Sequence, residues 1–334
     1  MSEEQTSNIS INITVYCDID MEKLSLLKEL LNELVPVTIR HTYLKQIFIV
    51  ADDALVDTVN AIIEARADYK RPYVAGEFAP SGVAVPIQNN DQFECYIVIT
   101  ESEVQIIKPP LNHPAKLVST LLEELLHTQV YATVWEARGY IDPRIETSSI
   151  FDDLFVQASR FHDEYFVNRS KAYIAYNTYI FDVPGGYSNM CLEYGVPLNS
   201  IIKESISKLV QLRTDVTKGN ITREQTWYDL IEIIYRYIFE PLARDAAYRE
   251  SNPEVRVNND DLIENLFYRE YIEPYWKRIK IELERSYDSD LSEMSLALDE
   301  IVRNLQEFLI NIGVTFADRN GQKEYIKFNL VISS

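Results

Sequence analysis

Residues 117–140, LVSTLLEELLHTQVYATVWEARGY, are the stretch of sequence that decides the fold. Leucine and valine recur there at intervals of three and four residues, which predicts one long helix that ends at about Arg138. Glu123 and His127 are four residues apart, so their side chains project from one face of that helix. Glu124 lies beside them. This helix therefore carries a compact group of titratable side chains.

A second long helix is predicted at 148–180, around the sequence FVQASRFHDEYFVNRSKAY. It carries His162, Asp163 and Glu164 in succession. The chain has only four histidines, and two of them fall in these two helices beside carboxylates. A zinc ion takes about three protein ligands, from imidazole nitrogen or carboxylate oxygen among others, and keeps a position for water. The two helices together therefore predict a metal site.

The order of these elements resembles the zincin metallopeptidases, in the branch whose distal metal ligand is a glutamate. In that family a strand-rich region precedes a helix with the motif HExxH, and a second helix downstream supplies a glutamate ligand. The corresponding motif here is EELLH at 123–127, and the resemblance covers roughly residues 80–180. It implies that Glu124 is the general base, that His127 is a metal ligand and that Glu164 is the distal ligand.

The motif departs from the family at its first position, where Glu123 replaces the histidine. A carboxylate also binds divalent metals, so Glu123 and His127 are the expected ligands from the first helix. On the second helix, His162 is a further candidate beside Glu164. A site with one histidine and two carboxylates suits manganese, iron or magnesium as well as zinc. Zinc or another divalent metal is the expected cofactor of an active enzyme, whereas a degenerate site would hold none.

Both helices also have an interpretation that involves no chemistry. The polar residues of the first helix fall opposite its leucines, as on any amphipathic surface helix. In the second helix, Glu164 shares a stripe with Arg160, Asn168 and Lys171, which is typical of a solvated charged face. His162 lies between two phenylalanines, as a hydrogen-bonded core histidine would.

The N-terminal region predicts a small sheet with flanking helices. Strands are predicted at 9–16, 46–50, 82–87, 95–100 and 103–107. Asp20 is expected to cap a helix that Pro36 ends, and residues 51–66 have helical spacing. Further helices are predicted at 199–215, 222–248, 259–284 and 289–311, before alternation at 313–332 predicts one or two strands.

The predicted fold class is therefore α+β and mostly helical. Residues 1–182 form a mixed α/β region with a small sheet and a zincin-like helix pair. Residues 183–198 contain two prolines and three glycines, which predicts a linker or a functional loop. Residues 199–334 form a mainly helical half with a terminal strand, either as a separate domain or as one domain with the first region.

The amino-acid composition indicates a cell compartment and disfavours some classes of binding partner. The formal net charge of −20 disfavours nucleic acids and anionic membranes. The three cysteines are far apart and form no CxxC pair, so neither a disulfide framework nor a cysteine zinc site is expected. The first residues, MSEEQTSN, show no signal-peptide pattern, and no apolar run is long enough to span a bilayer. A cytoplasmic protein is expected.

Three functional hypotheses follow. The first is a zincin-like metal-dependent hydrolase, a peptidase that cleaves a peptide or protein substrate. The second is a catalytically inactive descendant of that fold, a pseudoenzyme used as a binding or regulatory protein. The third is an acidic interaction protein that binds a basic partner, and only the net charge supports it.

Overall fold

The computed structural model describes residues 11–39, 43–67, 72–74, 80–89, 92–107, 115–139, 147, 149–177, 198–251, 260–319 and 322–328. In these ranges the protein is mostly helical α+β, which confirms the predicted fold class. No helix of the described ranges is long and apolar enough to span a bilayer. Of the predicted linker at 183–198, only Leu198 is described, and the predicted domain boundaries stay a prediction.

Backbone contacts divide the chain into two compact units. The first unit contains Met1–Ile145 and Tyr173–Met190, and the second contains Glu146–Ala172 and Cys191–Ser334. The first unit holds the helix with the EELLH motif, α4 (Ala115–Arg138). The second unit holds most of the second long helix, α5 (Ile150–Asn177). Both helices agree with their predicted ranges.

The first unit is built on a four-stranded mixed sheet. Its strands are β1 (Asn12–Val15), β2 (Leu44–Val50), β3 (Gly82–Asn89) and β4 (Gln92–Thr100). The strand order is β1-β2-β4-β3, with β1, β2 and β4 parallel and the edge strand β3 antiparallel to β4. Helix α1 (Met21–Thr38) connects β1 to β2, because parallel neighbours need a crossover, and helix α2 (Leu55–Arg66) follows β2 and precedes β3.

Two predictions for the first unit are wrong. Pro36 does not end α1, which continues to Thr38. A proline this close to the helix end removes only one helical hydrogen bond, and the Thr38 hydroxyl donates to the carbonyl oxygen of Leu34 at 2.8 Å. Residues 103–107 are not a strand, because α3 (Glu101–Gln105) occupies most of them. Its Val104 is fully buried, and so short an apolar run does not distinguish strand from helix.

The second unit is mainly helical. After α5 its helices are α6 (Leu198–Lys218), α7 (Arg223–Ile234), α8 (Glu240–Ser251), α9 (Asp260–Ile263), α10 (Glu273–Tyr287) and α11 (Leu291–Asn311). The strands β5 (Val314–Arg319) and β6 (Gln322–Phe328) then form an antiparallel hairpin as a sheet of their own.

A π-helical turn precedes both α8 and α10. The turns are Tyr235–Phe239 and Tyr268–Ile272, and each is followed directly by Glu-Pro. In the first turn the amide of Glu240 donates to the carbonyl oxygen of Tyr235, five residues earlier, and the second turn has the same bond. A proline has no amide hydrogen for an α-helical bond, and the wider turn accommodates it inside a continuous helix. The shared sequence Tyr-Arg-x-x-x-Glu-Pro thus predicts a shared irregularity.

Candidate functional site

The polar face of α4 is withdrawn from solvent. From Leu117 to Trp135 no residue of this helix is exposed. Glu124 is only 8% exposed, and Glu123 and His127 are half-buried. The interpretation of α4 as an ordinary amphipathic surface helix is therefore wrong. Its three titratable residues lie in a partly desolvated environment, where ionised groups interact more strongly than in water.

Glycine brings α4 close to the edge strand β3. A β-carbon at Gly82 would lie 3.0 Å from Cγ2 of Thr120 and 3.1 Å from Cγ of Glu124. It would also lie 3.2 Å from the carboxylate oxygen Oε1 of Glu124. These distances are tighter than ordinary van der Waals contact, so only glycine fits here without displacing the helix side chains. The carboxylate of Glu124 is thereby placed against the backbone of β3.

His127 is held by an aromatic neighbour on the same helix. Its ring and that of Tyr131 are stacked, with centroids 5.9 Å apart and planes inclined by 21°. On the same helix, the hydroxyl of Thr128 donates to the backbone carbonyl oxygen of Glu124, one turn before it, at 3.0 Å. Glu123 and His127 thus offer a carboxylate and an imidazole one helical turn apart, as the sequence predicts.

The helix α5 is also largely shielded from solvent over most of its length. None of its residues from Ile150 to Ala172 is exposed, and Lys171 is only 5% exposed. The predicted solvated charged face, with Arg160, Glu164 and Asn168 on it, is therefore wrong. A long helix that buries this many polar groups needs internal partners for them, because unpaired buried charge is costly.

His162 is buried in α5 without such a partner. Its side chain is 1% exposed, and neither ring nitrogen has a hydrogen-bond partner among the described residues. Its ring contacts Phe166, with centroids 5.9 Å apart. Burial lowers the pKa of His162 to about 4, so the imidazole is neutral at pH 7. The prediction of a core histidine is right about burial, and its hydrogen bonding stays a prediction, since no partner lies among the described residues.

Glu164 is part of an ion-paired group in the second unit. Nη2 of Arg244 lies 2.9 Å from Oε2 of Glu164 and 2.9 Å from Oε1 of Glu240. Tyr235 donates a hydrogen bond to Glu240, and the guanidinium of Arg160 lies over the Tyr235 ring, 3.3 Å from its centroid. We call these five residues the α5 charge cluster. Sequence reasoning missed it, although Glu240 and Arg244 are one turn apart beside the π-helical turn.

The α5 charge cluster contains a carboxyl group that titrates near neutrality. Burial, and next the negative charge of Glu164, raise the pKa of Glu240 to about 7, while Arg244 and Arg160 act in the opposite direction. Glu240 is therefore about half protonated at pH 7.

Glu240→Gln is expected to flatten the pH dependence of stability. Between pH 4.5 and about 7 the folded protein keeps the Glu240 proton while the unfolded chain has lost it, so the free energy of unfolding falls as pH rises. The uncharged glutamine avoids this loss. We expect urea denaturation to show this as a difference in free energy of unfolding, variant minus wild type, that increases by roughly 1–3 kcal/mol from pH 5 to pH 8. A variant that loses stability relative to wild type at pH 8 would show that the Arg244 ion pair outweighs the burial of charge.

The donors of the predicted metal site differ in how well they suit a cation. Among the described residues there is no group of three or more His, Cys, Asp or Glu that could hold a metal ion. Glu123 and His127 on α4 are chemically suited as a pair. Glu164 is less suited, since Arg244 already neutralises its carboxylate and a cation would have to displace the guanidinium.

No model of a known protein family matches the chain, and neither the curated proteins nor the solved structures compared with it gave a match. The resemblance to the zincin metallopeptidases therefore rests on the residues and the order of elements of this chain alone.

Proposed function

We propose that the protein is a zincin-like metal-dependent hydrolase that cleaves a peptide bond in a peptide or protein. In this proposal Glu123 and His127 are metal ligands and Glu124 is the general base. The observation that carries it is the burial of the polar face of α4, where Glu124 is 8% exposed against the backbone of β3. Perturbed or desolvated titratable groups of this kind concentrate at functional sites.

Each residue has a distinct task in the proposed reaction. Glu123 and His127 would hold zinc or a similar ion, which would supply a Lewis acid for the substrate carbonyl and for an attacking water. Glu124 would accept the proton of the attacking water and return it to the leaving amine, as a general base that then acts as a general acid. The stacked Tyr131 limits rotation of the His127 ring.

The ion pair between Glu164 and Arg244 favours a second candidate function. Because its carboxylate is paired with Arg244, the resemblance loses its distal ligand in this arrangement. A catalytically inactive zincin-like protein that binds or regulates a partner agrees with that pairing. In either case we propose a cytoplasmic protein whose substrate or partner is a peptide or protein. The net charge of −20 favours a basic substrate or partner.

Metal content tests the proposal. Mass spectrometry of the purified protein should give near one divalent metal per chain for wild type and a loss of that metal in His127→Ala. Glu124→Gln is the matched control, because it removes the general base and leaves both α4 ligands in place. It should keep the metal and lose peptidase activity. If wild type holds no metal even after incubation with zinc or manganese, the hydrolase proposal fails and the binding protein remains.

A further inference from the structure

We infer that Gly82 is a positioning residue for the proposed reaction, because the space that it leaves open fixes where the carboxylate of Glu124 lies. The inference rests on the proposed function, in which Glu124 is the general base. Gly82 begins β3 and Glu124 belongs to α4, and both elements lie within the first unit.

Glycine at position 82 is needed for space and not for backbone conformation. Glycine is the default residue where φ is positive or where another group approaches the backbone closely. Among the described residues, the glycines with positive φ are Gly139, Gly219 and Gly313, and Gly82 does not belong to this group. Other residues could therefore adopt the backbone conformation of Gly82, and only the approach of α4 opposes a side chain there.

The two backbones beside this contact are held in place. Gly82 takes part in the antiparallel ladder with β4, and the carbonyl oxygen of the preceding Ser81 accepts a hydrogen bond from the backbone amide of Thr100 at 3.0 Å. On the helix, Leu121 and Leu125 are fully buried, so a movement of α4 would disturb close-packed side chains. An added atom at position 82 is therefore accommodated by a side chain rather than by either backbone.

The side chain of Glu124 is the group that moves. A β-carbon at position 82 would lie 3.1 Å from its Cγ and 3.2 Å from its Oε1. Glutamate has several staggered side-chain conformers, and a change between them carries the carboxylate away from β3. Thr120, whose Cγ2 would lie 3.0 Å from the same β-carbon, is β-branched and more restricted in a helix. Filling the space at Gly82 therefore displaces the proposed base.

A displaced base slows the chemical step more than it weakens substrate binding. A general base must lie within hydrogen-bond reach of the proton that it accepts. A misplacement of about 1 Å can cost about 100-fold in rate. The expected signature of Gly82→Ala is a fall in kcat with little change in KM. A glycine with a purely structural role would instead lower the thermal midpoint and leave the kcat of the folded protein unchanged.

Steady-state kinetics with a fluorescence-quenched peptide that contains basic residues tests the inference. Gly82→Ala should lower kcat by about 30–300-fold and change KM by less than about threefold, with the metal content of wild type. Val83→Ala is the matched control on the same strand, since Val83 faces the other side of β3 and packs against the cluster that contains Val59 and Tyr96. The control should change kcat by less than about threefold. A Gly82→Ala enzyme with the kcat of wild type would overturn the inference.

The double variant Gly82→Ala/Thr120→Ser separates the two contacts. Serine lacks the Cγ2 atom that Thr120 directs at position 82, so this change removes one close contact and leaves the one with Glu124. The kcat of the double variant should remain as low as that of Gly82→Ala. If kcat recovers, the loss arises through Thr120 and the packing of α4, and Gly82 does not position the base.

Crystal structures of wild type and of Gly82→Ala measure the displacement itself. Oε1 of Glu124 should move by more than about 1 Å while the backbones of β3 and α4 stay in place. A shift of the α4 backbone with Glu124 still against β3, or a variant that does not fold, would overturn the inference. If wild type cleaves no peptide and binds no metal, the proposed function fails and takes the catalytic role of Gly82 with it. An active wild type with an equally active Gly82→Ala variant removes the inference alone.

Discussion

Arg244→Met should lower the free energy of unfolding at pH 8 by about 2–4 kcal/mol, near the lower part of the range for breaking a buried ion pair. Arg244 is the common partner of Glu164 and Glu240, each 2.9 Å from its Nη2. Without the guanidinium, both carboxylates stay largely buried and lose their nearest positive charge. The lower range is expected because the Arg244 side chain is itself 36% exposed, so solvent screens part of the interaction.

The pH dependence of this loss identifies its cause. Without Arg244, the pKa of Glu240 should rise further, so that its protonation in the folded state relieves the repulsion between the two carboxyl groups. The deficit relative to wild type should therefore shrink between pH 8 and pH 5, as measured by urea denaturation. Arg303→Met is the matched control, since Arg303 pairs with Glu300 on an exposed helix face and its loss should cost less than about 0.5 kcal/mol. An equal loss at both pH values would point to lost packing instead.

Phe239→Ala should destabilise the protein by about 3–5 kcal/mol, the range for truncating a buried aromatic side chain. Phe239 is the last residue of the first π-helical turn and is fully buried. Its ring centroid lies 5.4 Å from that of Phe161, 5.3 Å from that of Phe308 and 6.4 Å from that of Trp276. The ring therefore joins α5, α10 and α11 in the core of the second unit, and alanine would leave a cavity among them.

Chemical denaturation with two variants tests this packing. Ile310→Ala, in the same unit, removes an apolar side chain that is 62% exposed and should change stability by less than about 0.5 kcal/mol. Phe239→Leu keeps most of the apolar volume and should cost less than the alanine variant. A loss below about 1 kcal/mol for Phe239→Ala would contradict the aromatic core described for the second unit.

Most secondary-structure elements could be predicted because their signals are local. The carboxylate of Asp20 accepts a hydrogen bond from the backbone amide of Lys23 at 2.8 Å, which is the helix cap that the sequence predicts. The long apolar periods of α4 and α5 and the alternation in β3 and β4 likewise gave nearly correct ranges. The strand predicted at 103–107 is wrong, since five residues carry too little periodicity to distinguish helix from strand.

The two π-helical turns show a limit of the same reasoning. The helical pattern across 222–248 and 259–284 is right about helix, but it does not reveal the wider turns before Pro241 and Pro274. The repeated Tyr-Arg-x-x-x-Glu-Pro sequence was the available signal. The four-residue spacing of Glu240 and Arg244 places them one helical turn apart, although nothing local indicates that Glu164 completes the group.

For the candidate site, the sequence by itself determined which side chains share a helix face. The period of 3.6 residues puts Glu123 and His127 together on α4, whatever surrounds them. Only the tertiary structure decided that this face is withdrawn from solvent, that Glu164 is paired with Arg244 and that His162 is buried without a partner among the described residues. The reason is physical: a helical period specifies the apolar side of a helix, whereas burial and pairing of its polar side depend on segments distant in the chain.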